Sequence, residues 1–179
     1  MSPLNECIVI VTGASSGIGE AIALFLAAKG ATLVLVARRL DRINSLVDQI
    51  TQTGGKAIAI KADVTKLSDV NDVVSSTISK FNRVDVFINN AGYMAIAPLT
   101  ALKTDEWEQM VDTNIKGVLN GIAAALPVFE NQNAGHFINV ASVAGIKVLS
   151  PGGAVYSATK FAVRALSEGL RYEAGRHIR

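Results

Sequence analysis

The chain has a single cysteine, Cys7, so no internal disulfide can staple it. Its place just before the first apolar run suits a small apolar filler at a strand edge. Charge is also sparse: 18% of residues are charged, and the net charge is only +2. Lys and Arg are scattered, which excludes the basic footprint of a nucleic-acid binder and predicts no such partner. No apolar stretch reaches the ~18 residues of a membrane span, so no membrane partner is expected. The chain does not open on a basic segment followed by an apolar run, which predicts a cytoplasmic location without a secretory signal. With two histidines and one cysteine, no metal-ligand set is read, and His136 and His177 are taken as structural. Apolar residues, by contrast, make up 50% of the 179 residues, and mean hydropathy is +0.35. That suits one globular domain with a sizeable core.

Short apolar runs alternate with longer amphipathic ones. Strands are expected at 8–11, 32–36, 57–61, 84–89 and 136–140. Helices are expected at 19–29, with Ala21, Ile22, Phe25 and Leu26 on one face, and at 40–53, 70–81 and 156–174. A longer helix is expected from Thr104, a plausible N-cap, towards Glu130, with Pro127 as a kink or the start of its end. Near-continuous apolar strands alternating with helices predict an α/β fold, a doubly wound parallel sheet in three αβα layers. Ligands gather at the carboxyl ends of such strands, and each chemically suggestive residue falls there.

The first of these is the turn Thr12-Gly13-Ala14-Ser15-Ser16-Gly17-Ile18-Gly19, between the first strand and the first helix. A pyrophosphate there would meet free backbone amides and the positive end of the helix. Gly13 permits the tight turn, Gly17 lets phosphate approach the backbone, and Gly19 lets helix and strand pack closely. The second strand ends Val36-Ala37-Arg38-Arg39, without the acidic residue that selects NAD through its ribose hydroxyl. A guanidinium would bind a 2′-phosphate, so NADP is expected over NAD, with Arg38 favoured over Arg39. Near the end of the chain, Tyr156 and Lys160 lie one helical turn apart, with Ser142 upstream. A free tyrosine has a pKa of roughly 10. A neighbouring ammonium lowers it, and the phenol can then exchange a proton with an alcohol or carbonyl oxygen.

Taken in order and spacing, these motifs resemble those of the short-chain dehydrogenase/reductase family. The resemblance runs from about Cys7 to the end of the chain. It rests on Thr12-Gly13-x-x-x-Gly17-x-Gly19, Asp63, Asn89-Asn90-Ala91-Gly92, Asn114, Ser142 and Tyr156-x-x-x-Lys160. It implies an oxidoreductase that uses NADP, NAD being less favoured, to interconvert a secondary alcohol and a ketone or aldehyde. Tyr156 would be the acid and base, and Lys160 would lower its pKa and bind the nicotinamide ribose. Ser142 would hold the substrate oxygen, and Asn114 would anchor a water for proton exchange through Lys160. The cofactor would lie on Gly13, Ser15, Ser16, Gly17, Ile18 and Gly19, with Asp63 and Val64 against the adenine. Asn90, Ala91 and Gly92 would form its floor by backbone contacts.

The family's usual sixth strand would begin at Gly175-Arg176-His177-Ile178, and the sequence ends at Arg179. It therefore reads as a single dinucleotide-binding domain truncated before the sixth strand, with an exposed sheet edge, weak cofactor binding and poor turnover expected of the fragment. The stretches 93–96 and 143–155 are mostly apolar and suit an apolar small-molecule substrate. Surplus apolar residues Ile115, Val118, Phe161, Ala165 and Leu166, with the family's habit of pairing these helices, imply a homodimer or homotetramer. Two further readings are a reductase for 3-oxoacyl chains on a carrier protein, with Lys116, Arg164 and Arg171 available for docking, and a non-catalytic nucleotide-binding module.

Overall fold

The computed structural model describes residues 4–179. Five parallel strands form one sheet in the order β3-β2-β1-β4-β5. They are β1 (Ile8–Thr12), β2 (Thr32–Ala37), β3 (Lys56–Lys61), β4 (Val86–Asn89) and β5 (His136–Asn139). The chain reverses direction across the sheet between β3 and β4, so the ends of β1 and β4 flank the switch point where such folds bind ligands.

The side-chain period of two divides each apolar strand between two cores. On β1, Ile8 and Ile10 face one core while Val9 and Val11 face the other, and on β2 Val34 and Val36 oppose Leu33 and Leu35 in the same way. The first core is closed by α3 (Leu67–Phe81) and α5 (Gly117–Gln132), through Val70, Val73, Val74, Ala124, Ala125 and Phe129. The second is closed by α1 (Gly17–Ala28) and α2 (Leu40–Gln52), through Ala23, Ala27, Ile43, Leu46 and Ile50. These are the three expected layers. Phe129 and Phe137 meet edge to face at 4.8 Å, a geometry that adds to burial.

Several local expectations are corrected. On α1 the buried face is Gly19, Ala23 and Ala27, while Ala21 and Phe25 are exposed and Ile22 and Leu26 are half-buried. Small residues let this helix lie close to β1 and β2, so the larger ones are displaced outward. Val84 precedes β4 instead of opening it. It is buried, and both its amide and its carbonyl are held by the Gln132 side chain, at 3.0 and 2.7 Å.

The long helix is one continuous helical run: α4 (Thr104–Val111), a π-helical segment Asp112–Lys116, and α5. Lys103, not Thr104, holds the N-cap position and makes no side-chain cap bond. A left-handed turn at Leu102 and the Lys103–Glu106 ion pair set this start instead. Pro127 sits within α5, and the distortion of the run comes earlier, in the π-helical segment that holds Asn114. The last long helix is α6 (Ala154–Glu173).

Ile178 pairs in parallel with Gly135, Phe137 donates its amide to the Arg179 carbonyl at 2.7 Å, and Ile178 is buried in the first core. Residues 178–179 thus lie beside β5 through an isolated bridge at the edge of the five-stranded sheet.

Candidate active site

The turn from β1 into α1 has the three glycine properties the spacing predicts. Gly13 has φ +65°, and a Cβ there would come within 2.7 Å of the Ala91 Cα. Gly17 has φ +59° and would meet nothing within 4 Å, so its backbone is open to a ligand. A Cβ on Gly19 would lie 2.4 Å from the Gly13 carbonyl oxygen and 2.5 Å from Asn90 Nδ2. Ser16 occupies the N-cap position of α1 without bonding its amides. The helix's first N–H groups are therefore left without a side-chain cap, as an anion site requires. The Ser16 hydroxyl instead accepts from Arg39 at 2.9 Å, and Ser15 accepts from the same nitrogen at 2.8 Å.

Two hydrogen-bonded latches fix the strand ends. The Thr12 hydroxyl donates to the Ile88 carbonyl and accepts from the amides of Asn90 and Ala91 at 3.0 and 3.1 Å. Asn90 Nδ2 returns to the Thr12 carbonyl at 2.9 Å. Thr12 closes the switch point from within, a role that its place at the end of an apolar run could have signalled. Asn89 does not cap the strand end. It donates to Asn139 at 2.8 Å, Asn139 donates to Ser167 at 2.9 Å, and the chain ties β4 and β5 to α6.

One cavity of about 450 Å³ opens over these strand ends. Gly13, Ser15, Ser16 and Ile18 line its phosphate-loop side, Arg38, Arg39, Asp63 and Val64 its far side, and Asn90, Ala91 and Gly92 its floor. Tyr156 and Lys160 close it. Thirteen positions singled out from the sequence are therefore brought to one space. Gly17 and Gly19 shape the loop, while Asn114, which is buried, and Ser142, which is half-buried, are not among the lining residues. Tyr93 and Met94 of the apolar stretch 93–96 also line it, and Val36, Ala37, Ala62, Thr113, Val140 and Ala141, which the sequence reading did not single out, complete the lining. Val36, Ala37, Ala62, Val140 and Ala141 stand at or just beyond strand ends, and that position was their only signal.

Electrostatics differ sharply around the cavity. Burial pushes the Asp63 carboxyl up, but the Thr65 amide and hydroxyl, at 3.1 and 2.9 Å, and the charges of Arg38 and Lys66 outweigh it. The net result is a carboxylate below its ordinary range. Arg38 thus acts on Asp63, while Arg39 lies across the turn between β1 and α1. Lys160 is buried, and burial lowers its pKa. Its ammonium donates to the Val140 carbonyl at 2.8 Å and lies 5.9 Å from the centre of the Tyr156 ring. An ammonium has three donors, so two remain for the cavity.

Asn114 is fully buried and saturated as a donor. Its Nδ2 bonds the Tyr93 carbonyl at 2.9 Å and Thr159 Oγ1 at 3.0 Å, and its Oδ1 accepts from the Tyr93 amide at 2.8 Å. Thr159 donates in turn to the Tyr156 carbonyl at 2.7 Å. The π segment therefore joins the cavity floor to the turn of α6 that carries Tyr156 and Lys160. Ser142 caps a short 3₁₀ turn, Val143–Gly145, its Oγ accepting from the Ala144 amide at 3.1 Å. Its proton is left to donate elsewhere.

The apolar stretches after β4 and β5 come together, with the Ala97 amide donating to the Gly152 carbonyl at 3.1 Å. Met94, Ile96, Ile146, Val148 and Leu149 are each more than half exposed there. Of the cations considered for carrier docking, Lys116 pairs with Asp112 at 2.7 Å and Arg164 is bound to the Gly145 carbonyl at 2.8 Å. Of the surplus apolar residues, Val118 is buried within the chain itself, Phe161 and Ala165 are exposed, and Ile115 and Leu166 are half-buried. Among the described residues, no helix is long and apolar enough to cross a membrane.

A doubly wound sheet with an uncapped helix over its switch point, and a Tyr–Lys pair closing the same cavity, defines a dinucleotide-binding oxidoreductase fold. The family description "short chain dehydrogenase" matches residues 7–179, and the chain belongs to that family. An uncharacterized oxidoreductase of Listeria innocua is 56% identical over 170 residues, covering 95% of this chain and 68% of that protein. The crystal structure of a short-chain dehydrogenase/reductase from Burkholderia phymatum in complex with NAD superposes with a TM-score of 0.94 at 30% identity. That match covers 99% of this chain, which spans 64% of the Burkholderia chain. A gluconate 5-dehydrogenase from Burkholderia cenocepacia, in complex with NADP and tartrate, gives 0.92 at 30% identity, covering 98% of this chain and 69% of that one. The structural relatives thus include both an NAD and an NADP complex.

Proposed function

We propose that this protein is an NADP-dependent oxidoreductase that interconverts a secondary alcohol and a ketone or aldehyde, with Tyr156 as acid and base. The observation that carries the reading is the buried Lys160 ammonium 5.9 Å from the Tyr156 ring, in the cavity that also takes in the phosphate loop.

The residues present fit the cofactor. The uncapped α1 terminus and the open Gly17 backbone suit a pyrophosphate. Arg39 is the group we assign to a 2′-phosphate, with Arg38 beside Asp63 as a secondary contact; Asp63 and Val64 would flank the adenine. NADP is favoured over NAD because two guanidiniums stand where an acid would select NAD. When bound, the nicotinamide supplies or accepts the hydride.

The chain's own work is proton delivery and orientation. In reduction, Tyr156 gives its phenolic proton to the carbonyl oxygen as the carbon gains the hydride, and in oxidation it removes the alcohol proton. Lys160 holds its ammonium beside the Tyr156 ring, with donors left for the cavity. Ser142 donates its hydroxyl hydrogen to the same substrate oxygen, where charge develops. Asn114 acts first as a clamp, since both its N–H groups are engaged, and only its Oδ1 has capacity to hold a water. The exposed apolar wall at Met94, Ile96, Ile146, Val148 and Leu149 supports an apolar substrate. With Lys116 and Arg164 already engaged, carrier-protein docking is the weaker reading. We assign the chain a single domain over 1–179, a cytoplasmic location, and a homodimer or homotetramer through Ile115, Phe161 and Leu166.

The test is NADPH binding and NADPH-dependent reduction of trifluoroacetophenone, an apolar activated ketone, with Tyr156→Phe beside the unaltered chain. The expected result is NADPH binding kept within about twofold and turnover reduced at least a hundredfold, within the range of general acid catalysis. A Tyr156→Phe variant that reduces the ketone at the original rate would remove Tyr156 from the mechanism.

A further inference from the structure

Nothing in the motifs marks Arg164, yet it reaches the turn that carries Ser142. That turn rests on α6 at two points. A Cβ on Gly145 would lie 2.6 Å from the Lys160 carbonyl oxygen, so the turn sits directly on the backbone of Lys160. One helical turn further on, Arg164 donates from Nη1 to the Gly145 carbonyl at 2.8 Å. Within the turn, Ser142 Oγ accepts from the Ala144 amide, and the Gly145 amide donates back to the Ser142 carbonyl at 2.9 Å. Position therefore passes from Arg164 to Gly145 and from Gly145 to Ser142 through consecutive hydrogen bonds.

We propose that Arg164 is a positioning residue that fixes the Ser142 hydroxyl relative to Tyr156 and Lys160. The inference rests on the oxidoreductase reading above. Steric contact at Gly145 stops the turn from approaching α6 more closely, but it does not stop the turn from moving away. The charge-assisted bond from Arg164 supplies that restraint. Tyr156, Lys160 and Arg164 all stand on α6, so Ser142 is referenced to the helix that carries its two partners. The cavity lining does not include Arg164, which separates this role from cofactor binding. Displacements of about 1 Å in such constellations cost up to roughly a hundredfold in rate.

The experiment compares the unaltered protein with Arg164→Met, Arg164→Lys, Ser142→Ala and the Ser142→Ala/Arg164→Met double variant. NADPH affinity, kcat and KM for trifluoroacetophenone, and amide hydrogen exchange at residues 144–146 are measured for each. Arg164→Met is expected to lower kcat about tenfold, leave NADPH affinity within twofold, and speed exchange at 144–146. Arg164→Lys, which keeps a charged donor, should recover part of both losses. In the double variant the Met substitution should cost nothing beyond Ser142→Ala, because Arg164 acts through Ser142. Additive losses, or a kcat unchanged in Arg164→Met while the unaltered protein turns over, would overturn the assignment and leave the oxidoreductase reading intact. An unaltered protein that neither binds NADPH nor reduces the ketone would overturn both.

Discussion

At the scale of single residues, two arginines adjacent in sequence are assigned different tasks by the fold. Arg39 lies on the Ser15 and Ser16 hydroxyls, while the charge of Arg38 acts on Asp63. Nothing in the dipeptide Arg38-Arg39 distinguishes them, so this division of contacts is set by the fold. Arg39→Ala should weaken NADPH binding by roughly ten- to a hundredfold, as expected for about 1.5–3 kcal/mol from a charged hydrogen-bond partner. NADH binding should change by less than about threefold. Paired titrations with the two nucleotides check this, and equal losses for both would argue against a 2′-phosphate contact. The same limit explains Asn114. Its presence was legible, but its saturation by Tyr93 and Thr159 depends on where two distant backbone segments land.

At the scale of elements, period and spacing located every strand and most helix starts to within a few residues, because apolar alternation and glycine stops are local signals. They misjudged what packs against what. The α1 face was read from large apolar residues, but Ala23 and Ala27 are the ones buried, since close helix–sheet approach leaves room only for small side chains. Gly121 makes the same point on α5. A Cβ there would come 2.1 Å from Asn89 Oδ1 and 2.8 Å from the Phe87 ring, both buried. Gly121→Ala should push α5 off β4 and strain the Asn89–Asn139–Ser167 chain. Overpacking of this kind costs about 1–3 kcal/mol. Urea unfolding should show the loss as a lower midpoint at unchanged slope. An unchanged midpoint would mean that α5 yields freely there.

At the scale of the whole molecule, burying Lys160 couples the site to global stability. Its folded pKa is lowered from the ordinary 10.5 by burial. Between the folded value and 10.5 the unfolded chain binds more protons than the folded one, so stability rises with pH across that window. Below the window the buried ammonium is a constant cost. Lys160→Met should abolish this rise, flattening the dependence of the urea midpoint on pH just below 10.5. A rise that survives in the variant would have to come from another group.

The sequence by itself determined the layered parallel sheet, the phosphate loop and the Tyr156–Lys160 pair. Each rests on contacts within a turn or on a repeating period, and these are written in adjacent residues. Only the tertiary structure decided that Arg39 rather than Arg38 crosses the loop, and that Asn114 clamps the floor to α6. It also decided that Thr12 latches two strand ends and that Arg164 grips the turn of Ser142. Those are contacts between segments brought together by the sheet and its helices, and their partners are set by packing, which no local pattern records.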